Sequence, residues 1–398
     1  MTFPYNDPLW REAAGFILDR RQPDESVLAP DIFHYVFEHI HRDVNTWLHP
    51  TITYDWVVVN LHDFGRQSAH FLSTVVPTTM HPVFANHTFV VWSARSNTRV
   101  QPISTSATPV LRYFASVHEL GEGYTTMPDL SAEPVLPDLG AIFEFDQLGG
   151  AALARTMDDF WAHGGYEQTT LRDRVLKHEM ERIVARFAGD GAGRTVLGVG
   201  CGRGIYRDII TNSPSIVGID ISTVAIELAR ADHDDRPEFT FHVMDAQAMS
   251  FSDESFELVL FVDAIEHVLD VRLALSEVHR VLQPGGHLLV TSANSESVHL
   301  VMNSALGYSD FRTSFQHIRE FSHAELSGLL VDVGFECLDS AGVLLYPYWG
   351  IPGVDSAVRH LTDENPEVVE MTRLLGTRIG PEHSYEFAIW ARKVGTAA

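Results

Sequence analysis

The sequence predicts an α/β fold with a doubly wound, mostly parallel sheet, preceded by an α+β auxiliary domain. From about Thr169 onward, short apolar runs alternate with helical patterns, which is typical of a parallel sheet covered on both faces. The first 150 residues instead carry β-branched and aromatic runs bounded by turn residues. A length of 398 residues also suits about two domains. We therefore expect an auxiliary domain over residues 1–150 and a second domain over residues 165–398.

The amino-terminal part contains three strand-like runs, "TITYDWVVVNLHDF", "HPVFANHTFVVWSAR" and "TRVQPISTS". The stretch "PDIFHYVFEHIHRDV" has the pattern of a helix. "GYTTMPDLSAEPVLPDLG" is rich in Pro and Gly, and it is expected to connect the two domains.

The second domain is expected to begin with a helix in "TTLRDRVLKHEMERIVARFAGDGAG", where Leu176, Met180, Ile183 and Phe187 recur at helical spacing. The apolar runs predict strands in "RTVLGVG", "SIVGIDIS", "FTFHVMDA", "FELVLFVDA", "HLLVTSAN" and "SYEFAIWARK". Helices are predicted in "GIYRDIIT", in "STVAIELARAD" with Ser222 as its cap, in "VRLALSEVHRVLQPGG" up to Pro284, and in "SHAELSGLLVDVGF".

A run of alternating glycines ends the first of these strands. Gly198, Gly200, Gly202 and Gly204 stand in "TVLGVGCGRG". Glycine weakens a strand, so a ligand that approaches the backbone closely is one reason for the run. Packing of a helix against the strand is the alternative. The spacing differs from that of a phosphate loop.

Acidic residues end the next two strands. Asp220 is placed to accept hydrogen bonds from both hydroxyls of a ribose. Asp245 and the backbone N–H of Ala246 can read the edge of an adenine. Because the ends of parallel strands meet at one edge of a sheet, the three features together predict a nucleoside site.

The charge balance of the chain disfavours several classes of partner. The chain has 28 Lys and Arg against 53 Asp and Glu, a formal net charge of −25, and no run of basic residues. Nucleic acid and anionic membranes are therefore unlikely partners on electrostatic grounds, and a small molecule is expected. Cys201 and Cys337 do not make a disulfide framework. Without a signal peptide or a run of about 18 apolar residues, the protein is expected to be cytoplasmic.

The motifs "VLGVGCGRG", "VGIDIS", "MDAQAMSFSDESFELVLFVDAIEHVLD" and "LSEVHRVLQPGGHLLVTSAN" resemble, in order and spacing, those of class I S-adenosylmethionine-dependent methyltransferases. The resemblance covers roughly residues 170–392, and "QHIREFSHAELSGLLVDVGFE" is similar to the late segment of members that methylate small molecules. It implies a seven-stranded sheet whose last strand is antiparallel. It also implies that S-adenosylmethionine is bound by Gly200, Cys201, Gly202, Gly204, Asp220, Ile221, Asp245, Ala246 and Val262.

Gly198 departs from the family pattern, which usually has Asp or Glu at this position to orient the donor's methionyl amino group. Close approach of the donor accounts for the last three glycines but leaves the first unexplained. The departure motivates two alternatives: a non-methylating reaction such as a cyclisation, and a scaffold with a decayed donor site. The acids Asp220 and Asp245 argue against decay.

Candidates for the chemistry follow the fourth and fifth strands. His267, His317 and Asp263 are the predicted catalytic residues, with a histidine as the base; Glu266, Asn294 and His299 lie in the same segments. Asp263, Glu266 and His267 also resemble the acid-x-x-Glu-His pattern, which in quinone-type O-methyltransferases is linked to a divalent metal. A structural role is the alternative for each histidine.

Eight further histidines precede residue 90, with no spacing typical of a metal site: His34, His39, His41, His49, His62, His70, His81 and His87. We interpret them as surface or core residues. The sequence thus predicts methyl transfer from S-adenosylmethionine to a hydroxyl or amine of a small molecule, such as a secondary metabolite. The auxiliary domain is expected to contribute to acceptor binding or to form a homo-oligomer.

Overall fold

The structure is a computed structural model that describes residues 7–30, 32–33, 36–37, 40–41, 52–61, 76, 80–95, 149–162, 171–204, 206–308, 313–314, 316–351 and 354–394. The chain divides into two compact units. One comprises Met1–Gly140, Leu306–Phe311 and Tyr348–His360, and the other Ala141–Ala305, Arg312–Pro347 and Leu361–Ala398. The first unit thus includes two segments from the later part of the chain, which the prediction of two successive domains did not contain.

The first unit contains helix α1 and a five-stranded sheet of mixed direction. Its elements are α1 (Pro8–Leu18), β1 (Val27–Leu28), β2 (Ile40–His41), β3 (Trp56–Asn60), β4 (His81–Ala85) and β5 (Phe89–Ser93). The strand order is β2-β1-β3-β5-β4, in which β1 runs parallel to β2 and β3, and β5 runs antiparallel to β3 and β4. This agrees with the predicted α+β character. The predicted third strand and the connector lie outside the described residues, and Ile40–His41 is a strand where the pattern predicted a helix.

The second unit is built on a seven-stranded sheet. Its strands are β6 (Thr195–Val199), β7 (Ser215–Asp220), β8 (Phe239–Val243), β9 (Phe256–Phe261), β10 (Leu282–Ala293), β11 (Phe335–Val343) and β12 (Glu386–Lys393). The order is β11-β12-β10-β9-β6-β7-β8, with β12 antiparallel to both of its neighbours. The predicted doubly wound, mostly parallel sheet with an antiparallel last strand is therefore confirmed.

Helices accompany these strands along the chain. They are α2 (Gly150–Ala162), α3 (Leu171–Ala188), α4 (Thr223–Asp232), α5 (Val271–Val281), α6 (Val298–Ala305), α7 (His323–Val333) and α9 (Pro366–Ile379). Helix α8 (Asp355–Thr362) belongs to the first unit for most of its length. None of the described helices is long and apolar enough to cross a membrane.

Side chains of the central strands alternate between two apolar layers. Leu197 and Val199 of β6 pack in a layer that includes residues of α5 and α7, while Val196 packs with residues of α3. This alternation follows from the two-residue period of a strand and requires cover on both faces. Ser222 caps α4 as predicted, because its Oγ accepts the N–H of Ala225 at 3.1 Å.

Two helix predictions are wrong. Residues 206–209 form turns where "GIYRDIIT" predicted a helix. There, Arg203 binds Asp232 and Arg207 binds Asp235, so tertiary ion pairs accompany an irregular backbone. The helix predicted to stop at Pro284 ends at Val281, and β10 already begins at Leu282.

Candidate active site

A cavity opens where β6, β7, β8 and β9 end. The strand ends contribute Val199, Gly200, Ile219, Asp220, Ile221, Met244, Asp245, Ala246, Gln247, Phe261, Asp263 and Ala264, and His267 and Val268 follow them. Leu153, Met157 and Trp161 of α2 complete the wall. This is the edge of an open α/β sheet at which ligands bind.

The glycine loop has its own structural reasons for lacking side chains. Gly200, Gly202 and Gly204 have φ of +63°, +49° and +72°, a region that favours glycine. A Cβ at Gly202 would lie 2.8 Å from the ring of Trp161, and one at Gly204 would lie 2.8 Å from His233. Backbone conformation and packing therefore require these glycines independently of any ligand. Close approach of the donor, which the sequence suggested as their reason, is thus not needed to explain them.

Gly198 is different. Its φ is not in the left-handed region, and a Cβ there would meet its nearest neighbour, the Cβ of Cys201, at 3.6 Å, an ordinary contact. The position therefore has room for a side chain. Nothing in its surroundings explains why it is glycine.

Asp220 is buried at the end of β7 and already holds two backbone groups. Its Oδ2 accepts the N–H of Gly202 at 2.9 Å, and its Oδ1 accepts the N–H of Ser222 at 2.9 Å. Burial raises the pKa of this carboxyl, and the two hydrogen bonds oppose the shift. The residue thus fixes both the glycine loop and the start of α4, and its carboxylate lines the cavity.

Asp245 and Ala246, which were predicted to contact an adenine, lie on the cavity wall beyond β8. Asp245 Oδ1 accepts the backbone N–H of Gln247 at 2.8 Å and its side-chain amide at 3.0 Å. The contacts orient the carboxylate at the strand end.

The other residues predicted to bind the donor are distributed around this cavity. Ile221 lines it, whereas Cys201, Gly204 and Val262 line a second cavity that shares Val199 and Gly200 with the first. Gly202 lines neither and lies against Trp161.

Helix α2 was not included in the predicted site. Leu153, Met157 and Trp161 recur at a spacing of four residues, which places them on one face of the helix. This period was the available signal, but it is also that of any buried helix. The cavity wall therefore begins before residue 165.

Asp263 follows β9 with an unusual backbone. Its φ is +48°, one of three positive values among the described non-glycine residues. Thr291 holds it twice, because the Thr291 Oγ1 accepts its N–H at 2.9 Å and donates to its Oδ1 at 2.5 Å. Burial raises the pKa of the Asp263 carboxyl. Such strain, held by a buried threonine, is typical of functional positions.

Glu266, His267 and His317 lie together, and we call them the His–Glu cluster. Their potential ligand atoms lie within 4.8 Å of one another. The rings of His267 and His317 are 5.0 Å apart, and His317 Nε2 lies 4.0 Å from Glu266 Oε1. The structure thus brings the two predicted histidines together, although 50 residues separate them in the sequence.

Hydrogen bonds orient both rings. His267 Nδ1 lies 3.0 Å from the carbonyl oxygen of Gln316. His317 Nδ1 lies 2.5 Å from Glu320 Oε1, which sequence reasoning did not select. Since both partners only accept, each Nδ1 carries a proton and donates it.

Burial sets the protonation of the cluster. It lowers the pKa of His267 to about 3, and the nearby His317 adds to the shift. Burial also raises the pKa of Glu266 to about 7, although His317 opposes this. For His317, burial alone would lower the pKa, but the hydrogen bond to Glu320 and the surrounding acids raise it. His267 is therefore neutral across the physiological range, and it is a weaker base than its type suggests.

Asn294 and His299 have structural contacts instead. The amide of Asn294 donates to the carbonyl oxygens of Pro381, Glu382 and Ser384. His299 Nδ1 pairs with Ser297 Oγ at 2.9 Å, and burial lowers the pKa of His299 to about 3. Neither lines the cavity at the strand ends.

Of the eight early histidines, only His41, His81 and His87 are described, and the other five lie outside the described residues. None of these three belongs to a potential metal-binding group within the described ranges. The two cysteines, Cys201 and Cys337, are free thiols.

Comparison with known families gives one match to a domain. The family described as "Methyltransferase domain" matches residues 197–290. This range includes the glycine loop, Asp220, Asp245, Asp263 and the first two members of the His–Glu cluster.

Relatives of this chain carry the same type of description. A probable S-adenosylmethionine-dependent methyltransferase of Mycolicibacterium smegmatis is 32% identical over 42% of this chain and 61% of its own length. The O-methyltransferase resE of Aspergillus sclerotiorum is 28% identical over 53% of this chain and 80% of its own. The 27-O-demethylrifamycin SV methyltransferase of Amycolatopsis mediterranei is 31% identical over 43% and 57%. The match thus spans less than two thirds of the first and third of these relatives.

Among solved structures, the cyclase SpnF covers 63% of this chain and 96% of its own, at 21% identity and a TM-score of 0.42. A methyltransferase from Mesorhizobium loti covers 56% and 100%, at 18% identity and a TM-score of 0.39.

The sheet order, the cavity at its strand ends and the matched domain agree with one another. The resemblance inferred from the motifs is confirmed. Residues 197–290 thus match a methyltransferase domain, and the sheet of the second unit has the fold expected of the class I S-adenosylmethionine-dependent methyltransferases.

Proposed function

We propose that the protein transfers a methyl group from S-adenosylmethionine to a hydroxyl or amine of a small molecule. The observation that carries the proposal is the cavity itself. It joins the three strand ends predicted to bind a nucleoside to Asp263 and His267, which follow the next strand. A donor and an acceptor group would meet between these two sets.

The donor is proposed to lie across the strand ends in sequence. Its adenine would contact Asp245 and Ala246, its ribose Asp220, and its methionyl part would pass Gly200 toward Asp263. Burial by Leu153 and Met157 of α2 would exclude water from the sulfonium. This placement uses charged and backbone groups that already line one cavity.

The reaction requires the acceptor to lose a proton when it is a hydroxyl. The S–CH₃ bond breaks as the O–CH₃ bond forms, and the sulfonium becomes a neutral thioether. The hydroxyl proton must then leave. We propose that it leaves toward Asp263 and the His–Glu cluster, the buried polar groups nearest the end of β9. His267 is neutral there because burial lowers its pKa to about 3.

A hydroxyl acceptor is favoured over an amine by the name of the Aspergillus sclerotiorum relative, which is described as an O-methyltransferase. The relative that acts on 27-O-demethylrifamycin SV motivates the proposal that the acceptor is a secondary metabolite. We also propose that the first unit takes part in acceptor binding or forms a homo-oligomer. A cytoplasmic location is proposed as well.

Two measurements test the function. Calorimetric titration with S-adenosylmethionine should show one donor site per chain, and the absence of binding would support a scaffold instead. Incubation with candidate phenols, alcohols and amines should then release S-adenosylhomocysteine. Binding of the donor together with conversion of a substrate that releases none would favour the non-methylating alternative, which Gly198 motivates.

Variants test the catalytic residues. At least one of His267→Ala and His317→Ala should lower kcat by about 100-fold, the range expected for a group positioned for proton transfer, with donor affinity near wild type. Near-normal kcat in both would remove histidine from the mechanism and leave Asp263 as the next candidate.

A further inference from the structure

The two faces of helix α9 differ in the size of their side chains. The face that packs on the second unit carries Val369, Thr372 and Gly376, which are buried. A Cβ at Gly376 would lie 2.3 Å from the backbone of Leu344, so the helix lies directly on the chain that follows β11. Small side chains therefore complete the packing of this helix within its own unit.

The opposite face of α9 carries four large apolar side chains. Met371 is 51% exposed, Leu374 50%, Leu375 43% and Ile379 37%. Steps of three and four residues place them along one side of the helix, and we call them the α9 stripe. None of the other helices exposes more than one large apolar side chain among the described residues. A contiguous apolar surface of this kind marks an interaction site, whereas single exposed apolar residues are ordinary.

Opposite charges lie toward the two ends of the α9 stripe. Glu367 is near its amino end and Arg378 near its carboxyl end, and both are exposed. About three helical turns separate them, so they lie on the same side of the helix. Neither forms an ion pair with another described residue, whereas Arg373 pairs with Glu370. Both free charges also suit the helix dipole, and this second role is separated by the test below.

A stripe with this order of charges is complementary to its own reversed copy. We consider two α9 helices that run antiparallel about a twofold axis at the level of residues 372 and 373. Glu367 then faces Arg378 of the second copy, and Met371 faces Leu374 of the second copy. Each contact occurs twice, because an interface with twofold symmetry uses the same patch on both chains. Large apolar side chains fill the space between packed helices, whose axes lie about 8–10 Å apart.

We propose that α9 is the contact surface of a homodimer, in which the α9 stripe packs against α9 of a second copy. The formal net charge of −25 opposes association, but α9 itself carries two Glu and two Arg, so the contact adds no net charge of one sign. A standard interface buries about 800 Å² per partner, and four half-exposed side chains supply only part of that area. We therefore expect a dissociation constant on the order of micromolar.

This surface belongs to the second unit, so it is separate from the roles proposed for the first unit. Dimer formation also does not depend on the proposed methyl transfer. The two can fail independently, because one concerns association of the chain and the other concerns the donor cavity.

Sedimentation velocity of the full chain tests the surface. Between about 1 and 100 µM, the wild type should show an equilibrium between monomer and dimer. Leu374→Asp places a charge within the α9 stripe and should weaken association by at least 100-fold. Leu273→Asp is the matched control, because this leucine of α5 is 47% exposed and lies outside α9. It should keep the dissociation constant within about threefold of wild type.

Charge reversal tests the antiparallel arrangement. Glu367→Arg and Arg378→Glu should each weaken association by about tenfold, because each places like charges opposite one another. The double variant should return to within about threefold of wild type, because opposite charges face each other again. If the two charges serve only the helix dipole, the double variant will be weaker than either single one. In a mixture of Met371→Cys and Leu374→Cys chains, oxidation should give a mixed disulfide dimer that the wild type does not form.

Circular dichroism and titration with S-adenosylmethionine establish that each variant is folded and keeps its donor affinity. A monomeric wild type at about 100 µM would overturn the proposal and leave another segment of the same chain as the occupant of the stripe. A dimer that persists in Leu374→Asp would overturn it in favour of another surface, such as the first unit. A double charge variant weaker than both single ones would overturn it as well. Lack of donor binding by a dimeric wild type would contradict the proposed function and leave the dimer standing.

Discussion

Substitution of Asp220 by asparagine tests the donor site without changing the volume of the side chain. The carboxylate accepts two backbone N–H groups, from Gly202 and Ser222, each at 2.9 Å. An asparagine has a single acceptor oxygen, and its NH₂ must face one of these N–H groups. One charge-assisted hydrogen bond is lost, which costs roughly 1.5–3 kcal/mol in the free energy of unfolding.

The same change should weaken donor binding. A ribose hydroxyl that donates to a carboxylate loses the charge of its acceptor, and an effect of roughly 1.4–2.8 kcal/mol corresponds to a 10–100-fold rise in Kd. Calorimetric titration with S-adenosylmethionine gives Kd, and urea unfolding gives the stability. Both quantities should change in Asp220→Asn.

Ser222→Ala is the matched control at the same strand end. It removes the cap that accepts the Ala225 N–H and should cost about 1 kcal/mol in stability. Its donor affinity should stay within about threefold of wild type. If Asp220→Asn is less stable but binds the donor normally, Asp220 only holds the loop, and the ribose has been misplaced. An equal loss of affinity in Ser222→Ala would refute the reasoning in the same way.

Three further predictions concern the glycine loop, the wall and pH. Gly202→Ala should weaken donor binding at least tenfold, because the added Cβ displaces Trp161. Gly285→Ala is its control: this glycine has a φ of +75° and no atom within 4 Å of the added Cβ, so the change should cost only about 1 kcal/mol of stability through backbone strain. Met157→Ala and Met249→Ala, both at buried sites, should each cost roughly 2–5 kcal/mol of stability, but only Met157→Ala should raise the donor Kd. Because burial lowers the pKa of His299 to about 3, the folded state cannot take up its proton, and stability is lost as pH falls below about 6.5. Between pH 7.5 and 5.5 the loss should be about 1.4 kcal/mol by urea unfolding, and His299→Asn should remove that part of the pH dependence.

The sequence was sufficient for features that depend on neighbouring residues. The apolar runs predicted β6, β7, β9 and β12, and Ser222 stands where a cap was expected. Parallel strands bring their carboxyl ends to one edge of the sheet, so the sequence also predicted that Asp220 and Asp245 lie close together. Both residues line one cavity.

Features that depend on distant contacts could not be predicted in this way. Glu320 orients His317, and Thr291 holds Asp263, but no local spacing distinguishes either from an ordinary polar residue. Burial also changes the chemistry of a residue without changing its type. His267 was predicted as a candidate base, yet its environment lowers the pKa of the ring to about 3.

The position of β12 has a consequence for biosynthesis. This strand lies between β10 and β11 and buries Phe387, Ala388 and Ile389 completely, although it is the last strand of the sheet to be made. Until residues 386–393 have left the ribosome, β10 and β11 both expose an unpaired edge, and their apolar faces lack a partner. During translation, the incomplete sheet is therefore prone to aggregation until β12 is made. A premature stop within these residues would release a chain in which β10 and β11 have no strand between them.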